Sequence, residues 1–350
     1  MASITGAGTN AIFKIASTYG TAVSGGAGNK LAAEISPNFN VETLKPKVIG
    51  TGSSMPKTAT RGNFKPVISL NMDAGYRNCM DNLLAQFFGT AGAPAEQTAS
   101  QGDYKHTITF NTSLNAKYGT LAYESSSATV IEYPSCAVRS FTLSASDAPG
   151  ILSANFELIA NNAVITGTVN SNASMASATL TDTEVVAFAF DDTFRMNSSA
   201  GATLAGGDQK NILSYSLTLT RVQEIQGEIK GSVGNGSPVA TSTPLEGTVT
   251  VTLKELADHA DFTIWSAETP QKCRFDIQGT QIGSGVNKAV TINIPKMMLV
   301  GEPQYSITSA GVNTVTLTYE IVQATANPSG MSTTLPYIEI INNLSTSLLA

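Results

Sequence analysis

The chain has 350 residues, of which 13% are charged and 42% hydrophobic, and a formal net charge of −6. That length allows two domains that each bury a core. The 20 Lys and Arg against 26 Asp and Glu leave no basic excess to neutralise a phosphate backbone, which argues against a sequence-reading nucleic-acid binder, and the apolar content is too high for a disordered chain. Ser and Thr make up roughly a fifth of the residues, a balance typical of β-rich proteins rather than helical bundles.

The opening Met-Ala-Ser-Ile-Thr-Gly-Ala-Gly has no basic region before an apolar stretch, and Lys14 interrupts the short apolar run around it. No cleavable signal peptide is expected, nor any transmembrane run. Next come a first strand within 31–41, a Gly, Ser, Pro and Lys-rich stretch over 46–62 and a strand over 66–70. From Asp73 as N-cap, Tyr76, Met80, Leu83, Leu84, Phe87 and Phe88 recur at three-to-four spacing before Gly89, which predicts a helix stopped by glycine. Strands are expected at 107–110, 141–145 and 153–159. A polar, small-residue linker is expected at 168–183.

The second half has strands at 212–222 and 249–253, a stretch of small residues at 231–244, a weaker helical pattern over 254–267 carrying Leu256, Ala260 and Ile264, and strands at 290–294 and 305–322. In 249–253 and 315–321, apolar residues alternate with Thr, giving one dry face and one hydroxylated face. Five elements recur in the same order, so we expect a duplicated chain: domain 1–172 with an N-terminal arm and the long loop 46–62, and domain 173–350 with a C-terminal arm. The expected fold is mainly β, two tandem antiparallel sandwiches or barrels, each with a flanking helix.

Little in the sequence calls for chemistry. Cys79, Cys136 and Cys273 match no metal or disulfide spacing and read as buried thiols. A hydrolytic triad needs a histidine, and His106 and His259 lie in a predicted strand and helix, where structural roles are the simpler reading. Gly25-Gly26-Ala27-Gly28-Asn29-Lys30 lacks the spacing and the trailing hydroxyl of a phosphate loop and reads as a mobile loop. Asp182, Glu184, Asp191 and Asp192 lack the order of a calcium loop and read as a solvated turn. No catalytic, cofactor or metal residues are assigned. Polar arms at 1–28, 46–62 and 327–350 exceed what a compact monomer needs, and such arms commonly order on a neighbouring subunit.

Taken together, the chain resembles the tail tube proteins of long-tailed bacteriophages. The resemblance rests on Phe13-Lys14-Ile15-Ala16-Ser17-Thr18-Tyr19-Gly20-Thr21-Ala22 with the glycine-rich loop after it, and on the Lys/Gly/Ser/Pro segment before Arg61-Gly62-Asn63-Phe64. It rests also on the helix ending at Gly89, the run 285–295 ending in Ile-Pro, and the closing alternating strand 312–323. The resemblance implies a structural, non-enzymatic virion protein made in the host cytoplasm. Its sandwiches would join between subunits into a barrel through which double-stranded DNA passes. It further implies trimeric pseudo-sixfold rings for a duplicated chain, or hexameric rings otherwise, stacked through the long loop, with tail tip, tape measure and terminator proteins as partners. Another virion component, in the baseplate or as decoration, and a two-sandwich surface binding module are the alternative readings.

Overall fold

The computed structural model describes residues 9–41, 43–45, 59–62, 65–112, 117–126, 129–146, 150–165, 169–224, 239–240, 245–254, 260–306 and 313–350. Alternation sets its main feature. In Glu246–Lys254, Val249 and Val251 are buried while Thr248, Thr250 and Thr252 turn outward. The neighbours Ile212–Thr220 and Thr314–Ile321 carry the same pattern in register, so Val251 lies between Tyr215 and Leu317, and Thr250 between Ser216 and Thr318. A one-residue slip would turn every apolar side chain to the wrong face, so the pattern fixes the pairing.

These strands belong to one long antiparallel sheet. Its order is Glu34–Asn38, Val67–Asp73, Ser153–Ile159, the second part of Thr129–Ser146, Ile212–Thr220, Glu246–Lys254 and Thr314–Ile321. Last come Gln304–Ser306 and residues 297–299, each paired with a different part of Thr314–Ile321. Strands of a second layer pack beneath it. One group is Ala11–Ala16, Tyr118–Ser126, the first part of Thr129–Ser146 and Val164–Ile165. The other is Asp192–Ser198, Gln271–Gln281, Asn287–Leu299, Tyr337–Asn342 and Tyr104–Phe110. Thr129–Ser146 and Asn287–Leu299 are the long strands that cross between layers, each after a break in register at residues 133–136 and 294–297.

A single large core joins the layers. Phe141 meets Phe87 edge-on with centroids 4.9 Å apart, and Tyr215 of the long sheet lies 4.8 Å from Phe275 of the second layer. Burying each such ring is worth about 1.5–3 kcal/mol. The mainly β, antiparallel expectation is met.

Several local expectations change. The helix is Met80–Phe88, not a helix from Asp73, which instead ends the strand Val67–Asp73. Gly75 instead bridges Val185, so close there that a Cβ on it would sit 2.9 Å from the Glu184 carbonyl, and Tyr76 and Arg77 bend away. Asn78 and Cys79 then turn through left-handed φ values of 65° and 69° before the helix begins. Gly89 stops it as expected, with φ 85° and its N–H donating to the Ala85 carbonyl. The helix is buried on nearly every side, and its half-buried Asn82 donates to the Leu348 carbonyl. The second helix is Ala260–Ser266, shorter than the predicted 254–267, and none of its residues is buried. Leu256 and His259 lie outside the described residues.

In two of the three expected arms, the described residues form part of the fold. Residues Ala11–Ala16 form a strand with Ile12, Phe13 and Ile15 buried, and Tyr337–Asn342, Leu348 and Leu349 enter the core. Their buried apolar side chains pack within the chain. The third, 46–62, lies mostly outside the described residues; Thr60–Arg61 at its end pairs with Thr43–Leu44. The expected linker is also packed: Ser171 caps a helix over Asn172–Ala176, and Met175 is buried against Ile12, Ala122, Val130 and Ala178.

One pairing order occurs twice. Glu34–Asn38, Val67–Asp73, Ser153–Ile159 and residues 137–146 are neighbours in the sequence of pairings that Ile212–Thr220, Glu246–Lys254, Thr314–Ile321 and Gln304–Ser306 repeat. In the second layer, Ala11–Ala16, Tyr118–Ser126, Thr129–Ser146 and Val164–Ile165 are matched by Asp192–Ser198, Gln271–Gln281, Asn287–Leu299 and Tyr337–Asn342. The place of 290–294 is therefore taken in the first half by Thr129–Ser146, not by the expected 107–110. Tyr104–Phe110 pairs instead with Tyr337–Asn342, tying the first half to the end of the chain.

Candidate assembly surface

The outward face of the long sheet holds polar side chains in rows that cross it. One row reads Glu34, Asn71, Asn155, Thr142, Thr218, Thr248 and Glu320; the next reads Asp73, Ser153, Ser144, Ser216, Thr250 and Thr318. Hydroxyls pair across strands, with Thr142 and Thr218 oxygens 3.0 Å apart, Thr250 and Thr318 3.3 Å, and Thr252 and Thr316 3.1 Å. Thr–Thr neighbours of this kind each contribute a few tenths of a kcal/mol or more to strand pairing. Among the described residues of its strands, the face carries the carboxylates of Glu34, Asp73, Glu157, Glu246 and Glu320 against one lysine, Lys254. Arg139, at a break in register, pairs with Glu157 at 3.2 Å. An acidic, hydroxylated surface of this kind gives a polyanion no purchase.

Both ends of the sheet are open. Among the described residues, Glu34–Asn38 has a strand on one side only, Val67–Asp73, and Gln304–Ser306 has only Thr314–Ile321. Residues 34, 36, 38, 304 and 306 are exposed. Such edges are templates for a further strand; Gln304–Ser306 carries no charge or proline, while Glu34–Asn38 carries Glu34 at its end and Pro37 within it.

The residues singled out from the sequence have structural roles. His106 is fully buried, its Nε2 3.0 Å from the Leu344 carbonyl, and burial pushes its pKa down. The three cysteines are buried and free, and burial pushes the Cys136 thiol up to about 12. Of 25–30, the Gly25 N–H donates to Asn170 Oδ1, and a Cβ there would strike Ile12 at 2.3 Å, so packing and not phosphate explains the glycine.

The acidic group is not a solvated turn. Lys288 Nζ lies 2.7 Å from Asp182 and 2.8 Å from Glu184. Burial pushes the Glu184 carboxyl upward, but hydrogen bonds from Lys288 and Thr280 outweigh it and hold it below the usual range. Asp191 accepts from the Ala187 N–H at 2.8 Å. Asp192 has both carboxylate oxygens buried, and desolvation pushes it up to about 6.

Sequence reasoning missed Arg221, because a lone arginine at a strand end carries no signal of burial. It is fully buried, donates to the carbonyls of Phe87 at 2.9 Å and Asn111 at 2.6 Å, and lies 5.0 Å from the Phe110 ring. Desolvation lowers its pKa to about 10. It ties the second half of the chain to the helix of the first. Among the described residues no helix is long and apolar enough to cross a membrane.

No curated protein matches the chain. A protein-family model, described as phage tail tube protein, matches residues 6–321. With a mainly β sandwich, an acidic hydroxyl face and open sheet edges behind that match, the chain belongs to the phage tail tube protein family.

Proposed function

We propose that this chain is a duplicated tail tube subunit of the virion, three copies of which close into a pseudo-sixfold ring, and that stacked rings form a conduit for double-stranded DNA. The observation that carries the reading is the long sheet with its continuous acidic, hydroxylated face and two open edges. Turned inward, that face lets a duplex slide, because no array of cations releases its counterions. The repeated pairing order supports division into units 1–172 and 173–350, joined edge to edge through Ser140–Thr220 and the pairs beyond it.

Barrel size favours three copies over six. Eight strands per chain give twenty-four in a trimeric ring, and at about 4.8 Å per strand the wall is about 37 Å across before tilt widens it. A six-copy ring would be about twice that width, far more than a duplex needs. Head-to-tail contacts close such a ring when the rotation per copy permits. Loop 46–62 is assigned to contacts between rings, and tail tip, tape measure and terminator proteins to the partners that start, measure and end the tube. Assembly is assigned to the host cytoplasm, and the role includes no catalytic step.

The test is negative-stain electron microscopy of the purified chain across concentrations, with light-scattering mass on the same samples. Hollow rods or rings of three-chain mass are expected. Rings of six chains would keep the tube and reject the trimer. A monomer that stays single when tail-tip complexes are added would overturn the tube.

A further inference from the structure

The junction inside the chain specifies the junction between chains. Where the two halves meet, Leu143 pairs with Leu217, Thr142 with Thr218 and Ser144 with Ser216. The repeated pairing order lets each of these positions be carried to the open edges, and a shared irregularity sets the alignment. In the first half, register breaks between Tyr133 opposite Leu121 and Cys136 opposite Gly119. In the second it breaks between Ile294 opposite Cys273 and Met297 opposite Gln271. Cys136 thus corresponds to Met297, and two residues on, Val138 to Leu299. Val138 pairs with Leu158 and Leu299 with Tyr319; those in turn pair with Ile68 and Val249. Ile68 therefore corresponds to Val249.

Both edges take their register from that equivalence. Pro37 pairs with Ile68 as Leu217 pairs with Val249, so Pro37 stands in the place of Leu217. Four residues along the strand from Ile68 and Val249, Met72 corresponds to Leu253. Their partners Ala154 and Val315 face Leu143 and Tyr305, so Tyr305 stands in the place of Leu143.

We propose that Gln304–Ser306 of one copy pairs antiparallel with Glu34–Asn38 of the next, with Ser306 opposite Ser36, Tyr305 opposite Pro37 and Gln304 opposite Asn38. This rests on the tube reading and names the surface by which it assembles. In this register Ser36, Asn38, Gln304 and Ser306 continue the polar face without a break, and Pro37 and Tyr305 continue the apolar one. No lysine stands in either edge segment to repel the other. Pro37 has no N–H to donate to a neighbouring strand. Three pairs against the seven of the junction within the chain make the joint between copies the weaker of the two.

The test is oxidative cross-linking of assembled chains that carry paired cysteines. The native cysteines are buried and do not compete. Ser36→Cys with Ser306→Cys, and separately Asn38→Cys with Gln304→Cys, are expected to give covalent species of two and three chains. Ser36→Cys with Gln304→Cys, displaced by two residues, is expected to give almost none, because diagonal neighbours stand about 7–8 Å apart, beyond disulfide reach. Hydrogen exchange of the unmodified chain supplies a second readout: amides of 34–38 and 304–306 gain protection on assembly. If rings form but both in-register pairs stay unlinked and both segments keep exchanging, the edge assignment is overturned while the tube stands. If no ring forms even with tail-tip complexes, the tube reading fails and the assignment with it.

Discussion

Replacing Asp192 by Asn is expected to stabilise the chain at neutral pH and not at pH 4. Both carboxylate oxygens of Asp192 are buried, with the Tyr215 hydroxyl and the Thr193 backbone as the polar groups facing them. Desolvation pushes the group from 3.8 up to about 6, against a smaller opposing effect of the Tyr215 hydroxyl and with Asp191 adding to the rise. About two units of difference between folded and unfolded chain correspond to about 3 kcal/mol. The folded pKa is the higher, so the folded chain keeps a proton that the unfolded chain releases. The penalty is therefore absent below about pH 4, grows between about pH 4 and 6, and is complete above about 6. The asparagine removes the charge but leaves a buried amide, which costs about 1–2 kcal/mol if its donors find no partner. A net gain of about 1–2 kcal/mol is expected at pH 7.5. Urea unfolding of the unassembled chain at pH 7.5 and pH 4.0 measures it through the midpoint at constant slope. A midpoint shift equal at the two pH values would refute the reasoning, as would a loss at pH 7.5.

Leu84→Asp places a carboxylate on a helix position that is fully buried. Lost apolar burial plus desolvation of the charge amount to at least about 5 kcal/mol, comparable with the whole stability of many domains. Near-ultraviolet circular dichroism is expected to show lost tertiary packing; a folded, soluble monomer would contradict the helix's placement in the core. Thr250→Lys with Thr318→Lys is expected to leave assembly intact while making tubes retain duplex DNA, with affinity that falls as salt rises, since each added phosphate contact steepens the slope by about one. DNA binding no different from the parent tube would show that this face does not line the lumen. Deleting 46–62 is expected to leave folded subunits and rings that do not stack, and tubes of normal length from that variant would reject the loop's role.

The period of two was legible because burial on one side of a strand writes itself as alternation: Val249 and Val251 against Thr248, Thr250 and Thr252 need no neighbour to be read. Glycine at the end of the helix was legible for a similarly local reason, the left-handed turn at Gly89. The start of that helix was not, because Asp73 and Tyr76 fit a helical spacing, yet Asp73 ends a strand and Gly75 bridges Val185 beside the Glu184 carbonyl. The terminal segments read as arms because Ala11–Ala16 and Tyr337–Asn342 are short apolar runs among polar residues. Ala11–Ala16 finds its partner more than ninety residues away at Tyr118–Ser126, and Tyr337–Asn342 lies between Asn287–Leu299 and the still more distant Tyr104–Phe110. Asp192 and Arg221 carry no mark in the sequence that separates them from exposed charges, since their burial is a property of what packs over them.

By itself the sequence determined the class of fold and the dry and hydroxylated faces of its strands, because composition and short-range periodicity report one-sided burial directly; the likeness to tail tube proteins came instead from runs such as Phe13 to Ala22 that resemble that family. The tertiary structure alone decided which strands are neighbours, that the two halves join through 140–146 and 214–220 in one sheet, and which edges are left open. Pairing between strands far apart in the chain depends on matching whole faces and on single-residue irregularities such as those at 133–136 and 294–297, which no local pattern records.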